Sequence, residues 1–321
     1  MKLISKIQKR IILFSHQTKY FGIRCAFWDL LDSQRHRIII FSKFIHQRRH
    51  NAVINYLEKK YKYFIASYTK SNNVCPFQGF IPNQIWICWW DGIHAMPPIV
   101  NACYNSVLHY ANDFQVTVIT RDNFNDFISI PAHVLEKVKS GIITITHLSD
   151  IIRMSLLEKY GGLWLDATVL VTGTIKFDNI SFFTIKNEPE EKYISKRKWA
   201  GNCIGGIPKL PLFNFVHEFL CEYWKKHNDM IDYFLIDYSI LLAYNAIPQI
   251  KDIIDSVTQN NEKYLLFHSY LENEYNSNFY EEATKNTIFH KLFWKKCFST
   301  VTSENKLTLY GYILKNMGIK T

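Results

Sequence analysis

The stretch Ser149-Asp150-Ile151-Ile152-Arg153-Met154-Ser155-Leu156-Leu157-Glu158-Lys159-Tyr160-Gly161-Gly162-Leu163-Trp164-Leu165-Asp166-Ala167-Thr168 decides the fold. Leu148, Ile151, Ile152, Leu156 and Tyr160 recur at helical spacing and form a buried stripe. Asp150 and Arg153 stand three residues apart and so share a different helix face. Gly161-Gly162 ends the helix and turns the chain. The apolar run Leu163–Val171 that follows reads as a buried strand interrupted by one carboxylate, Asp166. A carboxylate in such a strand is costly unless it is paired or meets a cation.

Outward from this core the punctuation is that of an α/β protein. Ile81–Cys88 reads as a strand. Pro97-Pro98 opens a helix running to about Asn112, with proline in the first turn where its missing N–H costs nothing. Phe114–Thr120 is a second strand, residues 122–140 hold short helices, and a helix spans about Thr146–Tyr160. Residues 212–224 and 233–260 read as helices, and the last 60 residues mix helix with irregular segments. Strands separated by helices predict a Rossmann-like, mostly parallel central sheet with ligands at the strand ends.

The charge is unevenly placed. The net charge is +10, yet residues 1–70 hold 15 Lys/Arg against 3 Asp/Glu, while the rest holds 23 against 25. Leu3, Ile7, Ile11 and Phe14 alternate with Lys2, Lys6, Lys9 and Arg10. That pattern fits either an interfacial helix on an anionic membrane surface or an amphipathic helix packing on the body. Basic residues interleaved with aliphatic ones, without a nucleic-acid motif, argue against a nucleic-acid partner. Ser71–Phe80 reads as a linker, which divides the chain into a basic helical region, 1–75, and a main domain, 76–321. His46 and His50 are spaced for one helix face, but Arg48 and Arg49 beside them would repel a metal ion.

Seven scattered cysteines with no CxxC pair argue against a disulfide framework or a structural zinc site. There is no apolar run of about 18 residues and no signal-peptide pattern. A cytoplasmic protein is therefore expected, peripheral on the inner face of the membrane where the interfacial reading of the basic helix holds.

Asp150, Arg153 and Asp166 suit one chemistry. Cleaving a sugar–phosphate bond develops negative charge on a departing nucleoside diphosphate, which the site must neutralise with a divalent ion, Arg or Lys. Asp166 can coordinate a hard cation or accept from a ribose hydroxyl, Arg153 can fork onto phosphate or carboxylate, and Asp150 can accept from sugar hydroxyls. The stretch resembles glycosyltransferases of the GT-A fold that carry an SDxxR helix, a YGG turn and a DxD strand, among them initiating mannosyltransferases and α-1,4-galactosyltransferases. It is most similar to the capsular polysaccharide synthesis glycosyltransferases. Ile81-Pro-Asn-Gln-Ile-Trp-Ile-Cys-Trp-Trp90, Asp166-Ala-Thr168, Tyr233-Phe-Leu-Ile-Asp237-Tyr238 and Phe289-His-Lys291-Leu-Phe-Trp294-Lys295 carry that similarity, over about residues 75–300.

The resemblance implies a Leloir, hexosyltransferase-type enzyme that takes a nucleotide-sugar donor, a UDP-sugar, and a glycan acceptor. It implies donor contacts from Trp89, Trp90, Asp150, Arg153, Asp166, Asn202, His290 and Lys291. Asp166 and Thr168 would be the DxD positions that meet Mn²⁺ or Mg²⁺. Thr168 replaces the usual second carboxylate, and a hydroxyl is the weaker metal ligand, which puts manganese dependence in question. Asp166 and Asp237 are the catalytic candidates, with Asp237 either a base or a structural pair. The competing reading is a catalytically inactive protein of the same fold that binds a membrane surface or a glycan.

Overall fold

The computed structural model describes residues 2–34, 41–71 and 79–320. Four helices come first: α1 (Lys2–Phe21), α2 (Ile23–Asp32), α3 (Ser42–Lys60) and α4 (Lys62–Ser71). Then follow β1 (Gln84–Cys88), α5 (Pro98–Tyr110), β2 (Gln115–Ile119), α6 (Phe124–Phe127), α7 (Ala132–Lys139), α8 (Ile145–Tyr160), β3 (Gly162–Leu165) and β4 (Val169–Val171). The remainder is β5 (Phe182–Thr184), β6 (Cys203–Gly206), α9 (Pro211–Lys226), α10 (Leu235–Ala246), α11 (Pro248–Ser256), α12 (Ser277–Thr284), β7 (Phe289–Lys291) and α13 (Leu309–Asn316).

The main sheet has the order β2-β1-β3-β6-β5. β1 pairs in parallel with both β2 and β3, and β6 runs antiparallel between β3 and β5. Four of the five strands thus point the same way, a mixed α/β architecture with a mostly parallel centre. Alternate side chains face opposite sides, as the strand period requires. Ile85, Ile87, Leu163 and Leu165 join the core under α5 and α13. Trp86, Trp164 and Ile204 join the core made with α8, α9 and α10. Both faces are covered, which explains strands that read as continuous apolar runs.

Local chemistry fixes the segment that decided the fold. Thr144 caps α8 by accepting from the His147 N–H at 3.4 Å. Gly161 ends α8 at φ +67° and Gly162 follows at φ +97°. A Cβ on Gly162 would sit 2.5 Å from the Gln84 carbonyl oxygen, and one on Gly161 would sit 2.7 Å from that of Gly206. The double glycine is needed both for its backbone angles and for the close approach of β1 and β6.

The structure departs from the expected strand Leu163–Val171. The chain leaves the main sheet after Leu165, where the Asp166 N–H donates to the Asn202 carbonyl and the Val169 N–H donates to that of Asp166. β4 then pairs antiparallel with β7 in a second, two-stranded sheet, with Val169 opposite Lys291. The helix expected over 233–260 is likewise two, α10 and α11, divided at Pro248, which cannot supply the N–H a continuous helix needs.

Helices α2–α4 share a core with the body. Leu57 and Tyr61 are fully buried, and the Tyr61 ring meets Phe219 of α9 at 4.9 Å. Arg49 ties α2 to the body through Asp29 at 2.9 Å and Asp232 at 2.5 Å. His46 bonds Asp32 at 2.9 Å and His50 at 3.0 Å. On α1, Ile11, Ile12 and Leu13 are 62%, 68% and 52% exposed; the side chains of Leu3 and Ile7 lie outside the described residues. The expected linker falls largely on residues 72–78, also outside them. Among the described residues no helix is long and apolar enough to cross a membrane, and six cysteines are free thiols.

Candidate functional site

The break between β3 and β4 places Asp166 at the end of a central strand, at the floor of a cleft of about 470 Å³. That is the size class of a small-molecule site. Three elements converge there: the β1 terminus with Trp89 and Trp90, the N-terminal half of α8 with Thr146, Ser149 and Arg153, and the end of β7 with Lys291 and the Trp294 and Lys295 that follow it. A helix N-terminus in this position adds positive potential to the cleft.

Asp166 organises the charges. Its Oδ1 accepts from Arg153 Nη2 at 3.0 Å and from Trp164 Nε1 at 3.0 Å. Its Oδ2 accepts from Lys291 Nζ at 2.9 Å. Lys291 Nζ also donates to Thr168 Oγ1 at 2.5 Å. Burial would raise the Asp166 carboxyl, but Lys291, Arg153 and the Trp164 hydrogen bond together hold it down at about 2. It stays a carboxylate throughout the physiological range.

Arg153 is a buried organiser with one face on the cleft. Beyond Asp166, its guanidinium reaches Asp150 at 3.2 Å, donates to the Gly201 carbonyl at 2.6 Å and lies over the Trp164 ring at 5.0 Å. Asp150 sits behind it, 7% exposed. Burial drives its carboxyl up to about 7 against the pull of Arg153, with Asp166 and Asp237 adding negative charge nearby. Such a group is poised between its two protonation states near neutral pH.

The cleft thus gathers Trp89, Trp90, Arg153, Asp166, Thr168 and Lys291, six of the ten positions singled out in the sequence. Trp89 packs edge-on against Trp294 at 5.3 Å, and Trp90 leans on Phe124 at 5.4 Å. Asn202 and Asp237 face a separate cavity of about 190 Å³ instead. Asn202 Oδ1 accepts from Tyr264 Oη at 2.6 Å, and Asp237 Oδ1 accepts from Trp199 Nε1 at 2.9 Å. Burial lifts the Asp237 carboxyl to about 6, although the Trp199 bond and Arg153 hold it back. A third cavity, about 350 Å³, opens on the other side of Asp237, between α2, α3 and the segment before α10; it meets the main cleft at Tyr233.

His290, expected beside Lys291 on the donor, does not join the cleft. Neighbouring strand residues point to opposite faces, so Lys291 toward the cleft sends His290 into the core. There it is fully buried, stacked on Phe267 at 4.2 Å and bonded to the Thr287 carbonyl at 3.0 Å. Burial lowers its pKa to about 4, so the ring is neutral. Sequence reasoning missed Trp164, Trp294 and Lys295 as cleft residues. Trp294 and Lys295 sit only three and four residues beyond Lys291, a signal that was available; Tyr264, which holds Asn202, had none.

Among the described residues no three His, Cys, Asp or Glu side chains come together as a metal-binding set.

Residues 36–313 match the family model described as capsular polysaccharide synthesis protein. The chain is 26% identical over 122 residues to the O-glycosyltransferase PaGT of Phomopsis amygdali, a match spanning 34% of this chain and 28% of that relative. The chain therefore aligns with little more than a quarter of that relative's length. Among solved structures it is similar to the PaToxG glycosyltransferase, at 12% identity and a TM-score of 0.42, over 67% of this chain and 83% of the other.

Proposed function

We infer the function from the premise that this chain belongs to the capsular polysaccharide synthesis protein family. It is a nucleotide-sugar-dependent glycosyltransferase that moves a sugar from a nucleoside diphosphate, a UDP-sugar by resemblance, onto a hydroxyl of a surface polysaccharide. The observation that carries this reading is the Asp166 carboxylate at a strand end, gripped by Arg153 and Lys291 in a cleft walled by Trp89, Trp90 and Trp294. Aromatic walls suit a base and a sugar, and the cations suit a diphosphate.

In the reaction, an acceptor hydroxyl oxygen bonds to the anomeric carbon as the sugar–phosphate bond breaks. The bonding pair leaves with the nucleoside diphosphate, whose growing charge the cationic floor stabilises. The hydroxyl proton passes to a base. Asp237, between the two smaller cavities and with its carboxyl at about 6, has a pKa suited to that task. The acceptor enters from the side of Asp237 and Asn202, and the donor occupies the main cleft. The basic N-terminal helices, with Ile11, Ile12 and Leu13 exposed, hold the enzyme on the anionic cytoplasmic face of the membrane.

The test is release of nucleoside diphosphate from a panel of nucleotide sugars by the purified protein, with Asp166→Ala as control. Slow turnover of one donor that the variant loses supports the reading. No turnover, together with no donor-induced thermal shift, favours the inactive, glycan-binding alternative.

A further inference from the structure

We propose that the Lys291 ammonium occupies the place of a divalent cation, so that this chain grips its donor diphosphate without a metal ion; the proposal rests on the transferase reading above. A metal held at Asp166 and Thr168 would need an open oxygen on each. Neither is open. Lys291 Nζ takes Asp166 Oδ2 at 2.9 Å and Thr168 Oγ1 at 2.5 Å, and so stands between the two groups a metal would bridge. The other carboxylate oxygen is shared by Arg153 and Trp164, each at 3.0 Å. Mn²⁺ or Mg²⁺ binding would require displacing Lys291 from Oδ2, or both Arg153 and Trp164 from Oδ1, and placing a dication against two cations.

Among the described residues no three His, Cys, Asp or Glu side chains gather as a metal-binding set. Asp150 turns to Arg153 at 3.2 Å, and Asp91, the other carboxylate lining the cleft, pairs with Arg121 at 2.6 Å. The Thr168 position gains its logic here. An aspartate would bring a second anionic ligand for a dication, whereas a hydroxyl accepts from one ammonium and adds no charge. The register of the small sheet locks the arrangement, since β4 pairs Val169 with Lys291 and so brings the ammonium beside Asp166–Thr168. Lys295 lines the same cleft and supplies a second cation to the diphosphate. In this arrangement Lys291 bonds to phosphate oxygens with its remaining N–H and offsets the charge that leaves with the nucleotide.

The experiment is calorimetric titration of the full chain with UDP and with GDP, first in EDTA and then with Mn²⁺, alongside electron paramagnetic resonance of Mn²⁺ added to the protein. The expected result is binding of one nucleotide in EDTA, changed by less than about 3-fold by Mn²⁺, and no bound-Mn²⁺ signal. Lys291→Met should weaken that binding roughly 10- to 100-fold, and Lys291→Arg should keep most of it. Binding that appears only with Mn²⁺, a stoichiometric bound ion in the wild-type complex, or full affinity in a folded Lys291→Met each overturns the proposal while leaving the transferase reading standing. Failure of both nucleotides to bind in either condition overturns both. If Lys291→Met does not fold, the wild-type titrations still decide.

Discussion

Lys291 Nζ lies 2.9 Å from Asp166 Oδ2, although 125 residues separate them in the chain. The contact joins the last strand of the small sheet to the exit of the central strand β3. It ties the C-terminal third of the protein to the charge centre of the cleft.

This ion pair makes stability sensitive to acid. The Asp166 carboxyl titrates at about 2 in the folded chain against an ordinary value of 3.8. Its contribution is complete above about pH 4 and disappears as pH falls through 2. Asp166→Asn should therefore lower stability on the order of 2 kcal/mol at pH 7 and flatten the loss between pH 4 and 2. Thermal unfolding across that range checks both.

Asp237 carries the opposite sign. Its folded pKa, about 6, lies above the ordinary 3.8, because burial disfavours the anion. Ionisation on unfolding thus draws stability away as pH rises from about 4 to 6. Asp237→Asn should melt higher than wild type at pH 8 and equally at pH 3.5. If Asp237 is the base, the same variant loses about 10²- to 10⁴-fold in turnover and the rising limb near pH 6 vanishes; near-full turnover would exclude that role.

His290 and its neighbour should separate cleanly. His290→Leu removes the donor to the Thr287 carbonyl and should cost about 1–3 kcal/mol with nucleotide affinity unchanged. Because burial depresses the His290 pKa to about 4, wild-type stability from this ring is full above pH 6.5 and lost as pH falls through 4. The variant should not show that loss. Chemical unfolding at pH 7 and pH 4.5, with nucleotide titrations, reads all three.

Trp294 is 40% exposed and touches Trp89 across the cleft. Its removal should spare the fold. Trp294→Ala is expected to weaken nucleotide binding about 10-fold, the scale of one base–aromatic contact, with the melting temperature within a degree or two of wild type. Unchanged affinity would mean that the base lies elsewhere.

At Gly162 the expected effect is structural. With φ +97° and a carbonyl 2.5 Å from any added Cβ, Gly162→Ala should destabilise by about 3 kcal/mol or more. Denaturant midpoints and soluble yield measure it.

Much of the central architecture was legible. The stripe of Leu148, Ile151, Ile152 and Leu156, the glycine stop and the apolar strand locate α8 and β3 because each is a local pattern. What escaped depends on partners far along the chain. Nothing in Val169–Val171 announces that it abandons β3's sheet for Phe289–Lys291, because it is as apolar as Leu163–Leu165 before it and the pairing is non-local. That same pairing decides that Lys291 faces Asp166 and His290 does not, which adjacent residues in one motif could not reveal. The short antiparallel strands β5 and β6 were likewise hidden, since Gly205 and Gly206 carry no strand pattern. The break at Pro248 is different: the proline was visible and a strict reading of it would have split the helix.

The pairing of β4 with β7 also sets an order of assembly during synthesis. While the ribosome is still adding residues 172–288, β1, β2 and β3 can already come together, but the cleft floor lacks its lysine. A nascent chain therefore holds an Asp166 carboxylate whose counter-charge on one side has not yet been made. Only when residues 289–291 emerge and zip onto 169–171 does the charge centre close. Competence to grip a polyanion thus waits on a segment made after α1 to α12.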